Sequence, residues 1–382
     1  MKTSFNFKII IPFGTIIILF FIGELVIRIN DVLSGYNFFS NEHRDKLVLR
    51  TNPVKPFRTF GPNFYTEKDG VIYISSSHGE LFPLKKAENT FRIVCFGGST
   101  TYNIWSYEKY GVHYPGELQK MLRVSYPNKN IEVINVGFDS YSTPHLLILL
   151  ELDVICWAPD LVIVSENTND LDVSYWAHFT FDYSNKYRSR FFVPNYDKEY
   201  TPLNALFRWS SFYWWLEYKY DEIKKSYFPS TKRFLTNRMS LGKEPAKLSQ
   251  YVFRRNLLNF HHIANRWGIP ILFATQPLNS NVESENYLPR DMGFEPNIIE
   301  PLLDEKILHH NFFNSIIIDV ARSTDSYCID NDSLLNGESK YFIDAVHYTK
   351  LGIEKLADNY FNYIISNNII KNERVTNVQE FL

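Results

Sequence analysis

The sequence predicts an α/β protein: a mainly parallel sheet of five strands with helices on both faces, behind an apolar N-terminal helix and interrupted by an aromatic-rich insertion. Three observations predict it. Short β-branched runs alternate with amphipathic stretches of helical length, as in parallel sheets whose crossovers cover both faces. An uncharged run of 15 residues, Ile9–Gly23, stands outside that rhythm. The segment Tyr175–Phe228 holds 20 aromatic residues in 54, including four of the seven tryptophans, far more than a crossover needs.

Composition narrows the function classes. The chain has 382 residues, and at about 150 residues per domain that gives roughly two domains or slightly more. It is 45% apolar and 21% charged, ample for a packed core. With 40 Lys and Arg against 42 Asp and Glu, the net charge of -2 gives no general attraction to phosphate backbones, so no nucleic-acid partner is expected. Three cysteines, Cys95, Cys156 and Cys328, are too few for a disulfide scaffold or a zinc ribbon.

In chain order, the apolar run comes first. It lengthens to 19 residues if Glu24 is tolerated and the run ends at Ile27. At 1.5 Å per residue the two lengths are about 22 and 28 Å, against a hydrocarbon core of roughly 30 Å. Glu24 then falls near the far interface, where Arg28 can snorkel. No small-residue cleavage signal follows and no nearby cysteine offers a lipidation site. Residues 1–29 read first as an uncleaved signal anchor, giving the protein a membrane partner, with a cleaved signal peptide or a helix buried in the core as the alternatives. Lys2 and Lys8 precede the run and Arg28 and Arg44 follow it, so the charge balance is nearly even. The expected arrangement has the N-terminus inside and the bulk of the chain periplasmic or extracellular.

Residues 30–90 are polar and turn-rich and read as a stalk with an edge elaboration. Five strands are expected at Phe91–Phe96, Ile131–Val136, Leu161–Ser165, Ile269–Thr275 and Ser315–Val320. Helices are expected at Tyr114–Tyr126, Pro144–Trp157, Leu248–Trp267, Ile298–Phe312 and Leu351–Ile365, each with apolar residues three and four apart. The body is thus residues 91–171 and 248–366, with the insertion at 172–247 and a tail at 367–382. Rings at this density suit a lid or recognition arm for sugars, lipids or a membrane interface, or simply the packing of a subdomain.

Ligands of open parallel sheets bind beyond the carboxyl ends of the strands. Four polar loops fall there: Gly97-Gly98-Ser99-Thr100, Asn135-Val136-Gly137, Asn167-Thr168-Asn169-Asp170, and Asp344-Ala345-Val346-His347. Alone, each has a plain structural explanation. The glycine turn lacks the Gly-Lys-Ser/Thr of a P-loop and the spacing of a dinucleotide fingerprint. Asp344 and His347 fit a helix cap and a surface imidazole. The pairs His261-His262 and His309-His310 point to different faces of a helix and have no carboxylate at zinc-site spacing. No metal and no cofactor are expected. Together, the four loops bring a nucleophile, amide donors, a base and an orienting acid to one sheet edge.

In that order, the blocks resemble those of the SGNH hydrolases, the GDSL-type esterases and lipases. Ser99 stands in the first block, Gly137 in the second, Asn169 in the third, and Asp344 with His347 in the last. Gly-Glu-Leu-Val-Ile-Arg (Gly23–Arg28) and Phe91-Arg92-Ile93-Val94 are similar to the membrane-anchored bacterial branch. The resemblance covers roughly residues 88 to 366 without the insertion. It implies a flavodoxin-like three-layer α/β/α fold and metal-free ester hydrolysis. Ser99 would be the nucleophile, His347 the general base and Asp344 its orienting acid. The backbone N–H groups of Ser99 and Gly137 and the Asn169 amide would form the oxyanion hole. Two positions depart from the pattern. Gly98 stands where Gly-Asp-Ser has aspartate, and Asn167 stands where glycine is usual, so that its side chain would narrow the crevice or shift Asn169. The implied substrate is an acylated small molecule or glycan, foremost an O-acetyl ester of an extracytoplasmic carbohydrate. An O-acyltransferase using a sugar acceptor, or a non-catalytic glycan-binding scaffold, would carry the same fold.

Overall fold

In the computed structural model of the protein, the alternating pattern folds into a layered α/β structure with a parallel sheet. The structure describes residues 7–33, 38, 65–187, 237–281, 299–335 and 337–370, and between 207 and 220 residues 207, 209–213, 215, 216, 219 and 220. Much of the expected stalk, the middle of the insertion, Ile298 and the tail from 371 onward lie outside the described residues. Two units are distinguished: Met1–Gly61 with Arg190–Arg233, and Pro62–Ser189 with Phe234–Leu382.

The larger unit opens with β1 (Tyr65–Lys68), β2 (Val71–Ser75) and β3 (Leu81–Pro83), an antiparallel sheet supplied by the expected edge elaboration. The main sheet comprises β4 (Thr90–Gly97), β5 (Asn130–Asn135), β6 (Leu161–Ser165), β8 (Ile271–Ala274) and β10 (Tyr327–Ile329), all parallel. The two-residue strands β7 (Asn237–Arg238) and β9 (Ile299–Glu300) pair separately. The main order is β5-β4-β6-β8-β10. The chain therefore leaves β4 in one direction toward β5 and afterwards builds in the other. A crevice opens at the carboxyl end of such a reversal.

Alternating strand residues feed two cores. Ile93, Cys95, Ile131, Val133 and Leu161 face the helices Tyr114–Ser125 and Lys350–Ser366, meeting Leu118, Leu122, Ile353 and Tyr360. Val94, Phe96, Val162 and Phe273 are buried as well. Phe96 meets Phe260 of the helix Lys247–Arg266 at 5.1 Å between ring centroids. Each such side chain contributes about 1.5–3 kcal/mol by leaving water. Local signals start the helices: His113 Nδ1 accepts the Gly116 N–H at 3.2 Å ahead of Pro115, and Thr349 Oγ1 accepts the Gly352 N–H at 3.2 Å.

One expected strand is wrong. Ser315–Val320 lies inside the helix Leu303–Ser323. Its three isoleucines look like a strand, but Phe313, Ile316, Ile317 and Val320 are the buried set, a spacing of three and four that lines one helical face. The fifth strand is the short β10 that follows. The helix expected from Ile298 starts at Leu303, because Ile299–Glu300 forms β9.

The smaller unit contains the helix Phe7–Leu33, of 27 residues. Among the described residues no helix is long and apolar enough to cross a membrane. Ile16, Ile18, Leu19, Phe21 and Ile22 on this helix are exposed, whereas Glu24 is buried. The Glu24 carboxylate accepts hydrogen bonds from Arg28 Nε (2.7 Å), Ser210 Oγ (2.8 Å), and the backbone N–H groups of Ser211 (3.2 Å) and Phe212 (2.8 Å). Arg28 donates to the carbonyls of Phe38 and Trp209. A Cβ at Gly23 would stand 2.7 Å from the Phe212 ring, so glycine is what lets that ring approach. The Gly23-Glu24…Arg28 pattern is thus a seat for Trp209–Phe212. The insertion is correspondingly not one element. Its first part, with Tyr175, Trp176, Tyr183 and Tyr187 buried, belongs to the larger unit.

Candidate active site

β4 ends at Gly97, the chain turns at Gly98, and Ser99 is the first residue of a one-turn helix, Ser99–Tyr102. Asn103 closes that turn, its N–H reaching the Ser99 carbonyl at 2.7 Å, and the helix Ile104–Tyr110 follows. Asp344 and His347 lie on the loop before the helix Lys350–Ser366. Asp344 Oδ1 accepts the N–H groups of Val346 (2.9 Å) and His347 (2.8 Å), which fixes the loop from within. Asp344 Oδ2 lies 2.7 Å from His347 Nδ1, and His347 Nε2 lies 2.9 Å from Ser99 Oγ. An ionised carboxylate only accepts, so it holds the proton on Nδ1 and leaves Nε2 to accept from the Ser99 hydroxyl. The sequence therefore supplied three residues that the fold joins in one chain of hydrogen bonds across 248 positions.

Electrostatics favour that arrangement. Burial alone would raise the Asp344 carboxyl, but the His347 hydrogen bond, its charge and two backbone N–H groups outweigh it and hold the group below its ordinary range. Burial raises Asp139, and the neighbouring His347 opposes the rise. The Trp105 ring stands edge-on to His347, 4.2 Å between centroids, and is 48% exposed.

The expected oxyanion donors occupy defined positions. A Cβ at Gly137 would stand 2.7 Å from Thr101 Cβ and 2.8 Å from the Tyr102 nitrogen, so this loop must be bare to pass the helix that carries Ser99. The Gly137 N–H donates to Asn135 Oδ1 at 2.9 Å, and Asn135 Nδ2 donates to the Thr101 carbonyl at 2.9 Å. Asn169 Nδ2 donates to the Tyr141 carbonyl at 2.8 Å, and its backbone N–H to Glu166 Oε1 at 3.0 Å. Asn167 does not narrow the crevice as expected. Its buried side chain turns away and donates to the His310 carbonyl (3.0 Å) and Asn314 Oδ1 (2.7 Å). Its φ of -154° lies outside the left-handed region that favours glycine.

Several interactions are not visible in the sequence. Asp170 accepts from the Thr143 N–H, the Thr143 hydroxyl and the Tyr183 hydroxyl, which ties the third loop to the first part of the insertion. Gln276 accepts the Thr168 N–H at 2.7 Å and donates to Thr100 Oγ1 at 3.0 Å, bridging the serine and asparagine loops. From the edge sheet, His78 stacks on Tyr107 at 3.9 Å and contacts the Tyr102 carbonyl at 2.7 Å; burial lowers its pKa to about 4. Gln276 and His78 carry no motif, since each acts through contacts between distant segments. His309 is engaged by Tyr175 Oη and the Gly242 carbonyl, and burial lowers His310 to about 3. Among the described residues no cluster of three His, Cys, Asp or Glu is placed to hold a metal.

No family model matches the chain, and no curated protein matches it either. Solved structures do resemble it. An acetylxylan esterase from Geobacillus stearothermophilus is 14% identical, with 72% of this chain and 94% of that one covered and a TM-score of 0.41. A lipase/acylhydrolase from Enterococcus faecalis is 14% identical, with 75% and 100% covered and a TM-score of 0.40. A GDSL-like lipase from Bacteroides thetaiotaomicron is 12% identical, with 72% and 88% covered and a TM-score of 0.39. The last carries the name of the family that the four blocks resemble. At these identities and scores the likeness assigns no residue roles, which rest on the geometry of this chain.

Proposed function

We propose that the protein is a serine ester hydrolase that removes O-acyl groups, foremost O-acetyl groups, from a carbohydrate outside the cytoplasm. The observation that carries this is the continuous hydrogen-bonded line from Ser99 Oγ through His347 to Asp344. Ser99 Oγ attacks the ester carbonyl carbon while His347 Nε2 takes the hydroxyl proton. The tetrahedral intermediate collapses, the alcohol departs with that proton, and the acyl group remains on Ser99. Water then repeats the sequence and releases the acid. Asp344 holds the imidazole in its tautomer and stabilises the imidazolium. The Ser99 N–H, the Gly137 N–H and the Asn169 amide are assigned to the oxyanion. Asn169 Nδ2 carries a second hydrogen beyond the one bonded to Tyr141, whereas Gly137 must share its N–H with Asn135.

A carbohydrate alcohol suits the exposed Trp105 ring beside the base, on which a sugar face can stack. The uncharged run Ile9–Gly23 is assigned as a membrane anchor with its N-terminus inside, supported by its lack of charge and by the exposed apolar side chains Ile16, Ile18, Leu19, Phe21 and Ile22. Ser99→Ala should abolish p-nitrophenyl acetate hydrolysis and fluorophosphonate labelling without lowering the melting temperature; retained turnover would overturn the assignment. Product analysis with a glycan acceptor present distinguishes transfer from hydrolysis. A reporter fused after Leu382 that is active only in the cytoplasm would refute the orientation.

A further inference from the structure

Glu166 directly follows β6, and none of the chemistry above uses it. It is 1% exposed. Its Oε1 accepts the N–H groups of Asn167 (3.1 Å) and Asn169 (3.0 Å), closing the turn that begins the helix Thr168–Ser174. Its Oε2 is buried with no hydrogen-bond partner among the described residues. That oxygen faces Gly98: a Cβ there would stand 2.7 Å from it, nearer still to Asn169 Nδ2, and 3.0 Å from the Tyr141 carbonyl that receives the Asn169 amide. Gly98 is the position where the resembled pattern carries aspartate. The neighbouring strands β4 and β6 are paired with Gly97 opposite Ser165, so the residue after each strand end meets its counterpart. A carboxyl thus reaches the same space from the adjacent strand.

We propose that Glu166 is a positioning residue for the ester hydrolysis: seated in the gap that Gly98 leaves, its carboxyl accepts the Asn169 backbone N–H and so fixes the loop that carries the Asn169 side-chain amide, and position 98 is bare to admit both side chains. This rests on the reading of Ser99, His347 and Asp344 as the catalytic set. Burial and the neighbouring Asp170 push the Glu166 carboxyl well above its ordinary range, so the neutral acid is favoured. A neutral acid suits this place, because a fixed anion would oppose the negative charge that develops on the substrate oxygen.

The test uses the full chain in detergent, p-nitrophenyl acetate turnover and fluorophosphonate labelling of Ser99. Glu166→Gln keeps an acceptor for both N–H groups and should retain kcat within about threefold, with an unchanged pH profile. Glu166→Ala should lower kcat by about tenfold or more with KM within about twofold, while Ser99 is still labelled. Gly98→Asp alone should lower kcat, and combined with Glu166→Gly it should recover activity above either single variant. Unchanged kcat in Glu166→Ala, or a double variant no better than its poorer parent, would overturn the proposal. Should Glu166→Ala fail to fold, Glu166→Gln and the double variant decide. Absence of labelling in the parent protein would instead sink the catalytic reading itself.

Discussion

Glu24 and Glu166 are withdrawn from water to a similar degree, 6% and 1% exposed, yet their surroundings differ in kind. Glu24 accepts from a guanidinium, a hydroxyl and two backbone N–H groups, spread over both oxygens. Glu166 has two backbone N–H groups on one oxygen and, among the described residues, no hydrogen bond on the other. Lys186, whose charge opposes the rise of the Glu166 carboxyl, is paired at 2.7 Å with Asp172. A buried carboxylate with a full donor set is a clasp: it joins two segments and has no capacity left. A buried carboxyl with an orphaned oxygen beside a nucleophile costs stability and is tolerated where geometry matters more. The contrast separates architecture in the smaller unit from site-building in the larger one.

The comparison breaks most readily at the reacting groups. His347→Ala should reduce kcat by about ten-thousandfold or more while the melting temperature stays within a few degrees, and a mild loss would remove the chemistry that Glu166 is said to serve. Asn169→Ala comes next, with about a hundredfold loss of kcat read in the same assay; if unfolding accompanies it, the residue is structural and Glu166 merely supports a turn. Glu24→Ala strands Arg28 and removes the acceptor for three donors. It should destabilise the smaller unit by about 3 kcal/mol and open residues 209–212 to limited proteolysis, while esterase turnover is unaffected.

The smallest effect concerns pH. Because the folded state raises the Glu166 carboxyl above its ordinary 4.5, the unfolded chain binds fewer protons than the folded one above that value. Stability contributed by this group is therefore greatest at low pH and falls as pH rises toward the raised value. Glu166→Gln lacks that loss, so its melting temperature relative to the parent should climb as pH is raised from about 4 to 8. A flat difference would mean that Glu166 is ionised in the fold and resembles Glu24 after all.

Much of the architecture was legible because strands and helices are announced by local pattern. Phe91–Phe96, Ile131–Val136 and Leu161–Ser165 coincide within a residue with β4, β5 and β6, since each is a short β-branched run stopped by a turn signal. Ser315–Val320 misled because three adjacent isoleucines satisfy a strand locally, whereas their face is set by Phe313 and Val320 one turn away on either side. The polar loops were legible as a set because strand ends of a parallel sheet share an edge. Asp344 and His347 meet through an interaction three residues long, which a sequence displays directly.

By itself, then, the sequence determined four of the five main strands in order, the polar edge and the local Asp344–His347 geometry, because all three depend on contacts between neighbours along the chain. Only the tertiary structure decided that Ser99 meets His347, that Asn167 turns inward, that Glu24 clasps residues 210–212 and that Glu166 fills the space at Gly98. Those outcomes follow from the order and register in which parallel strands pair and from how helices pack, which bring distant backbones within ångströms and leave no trace in local spacing.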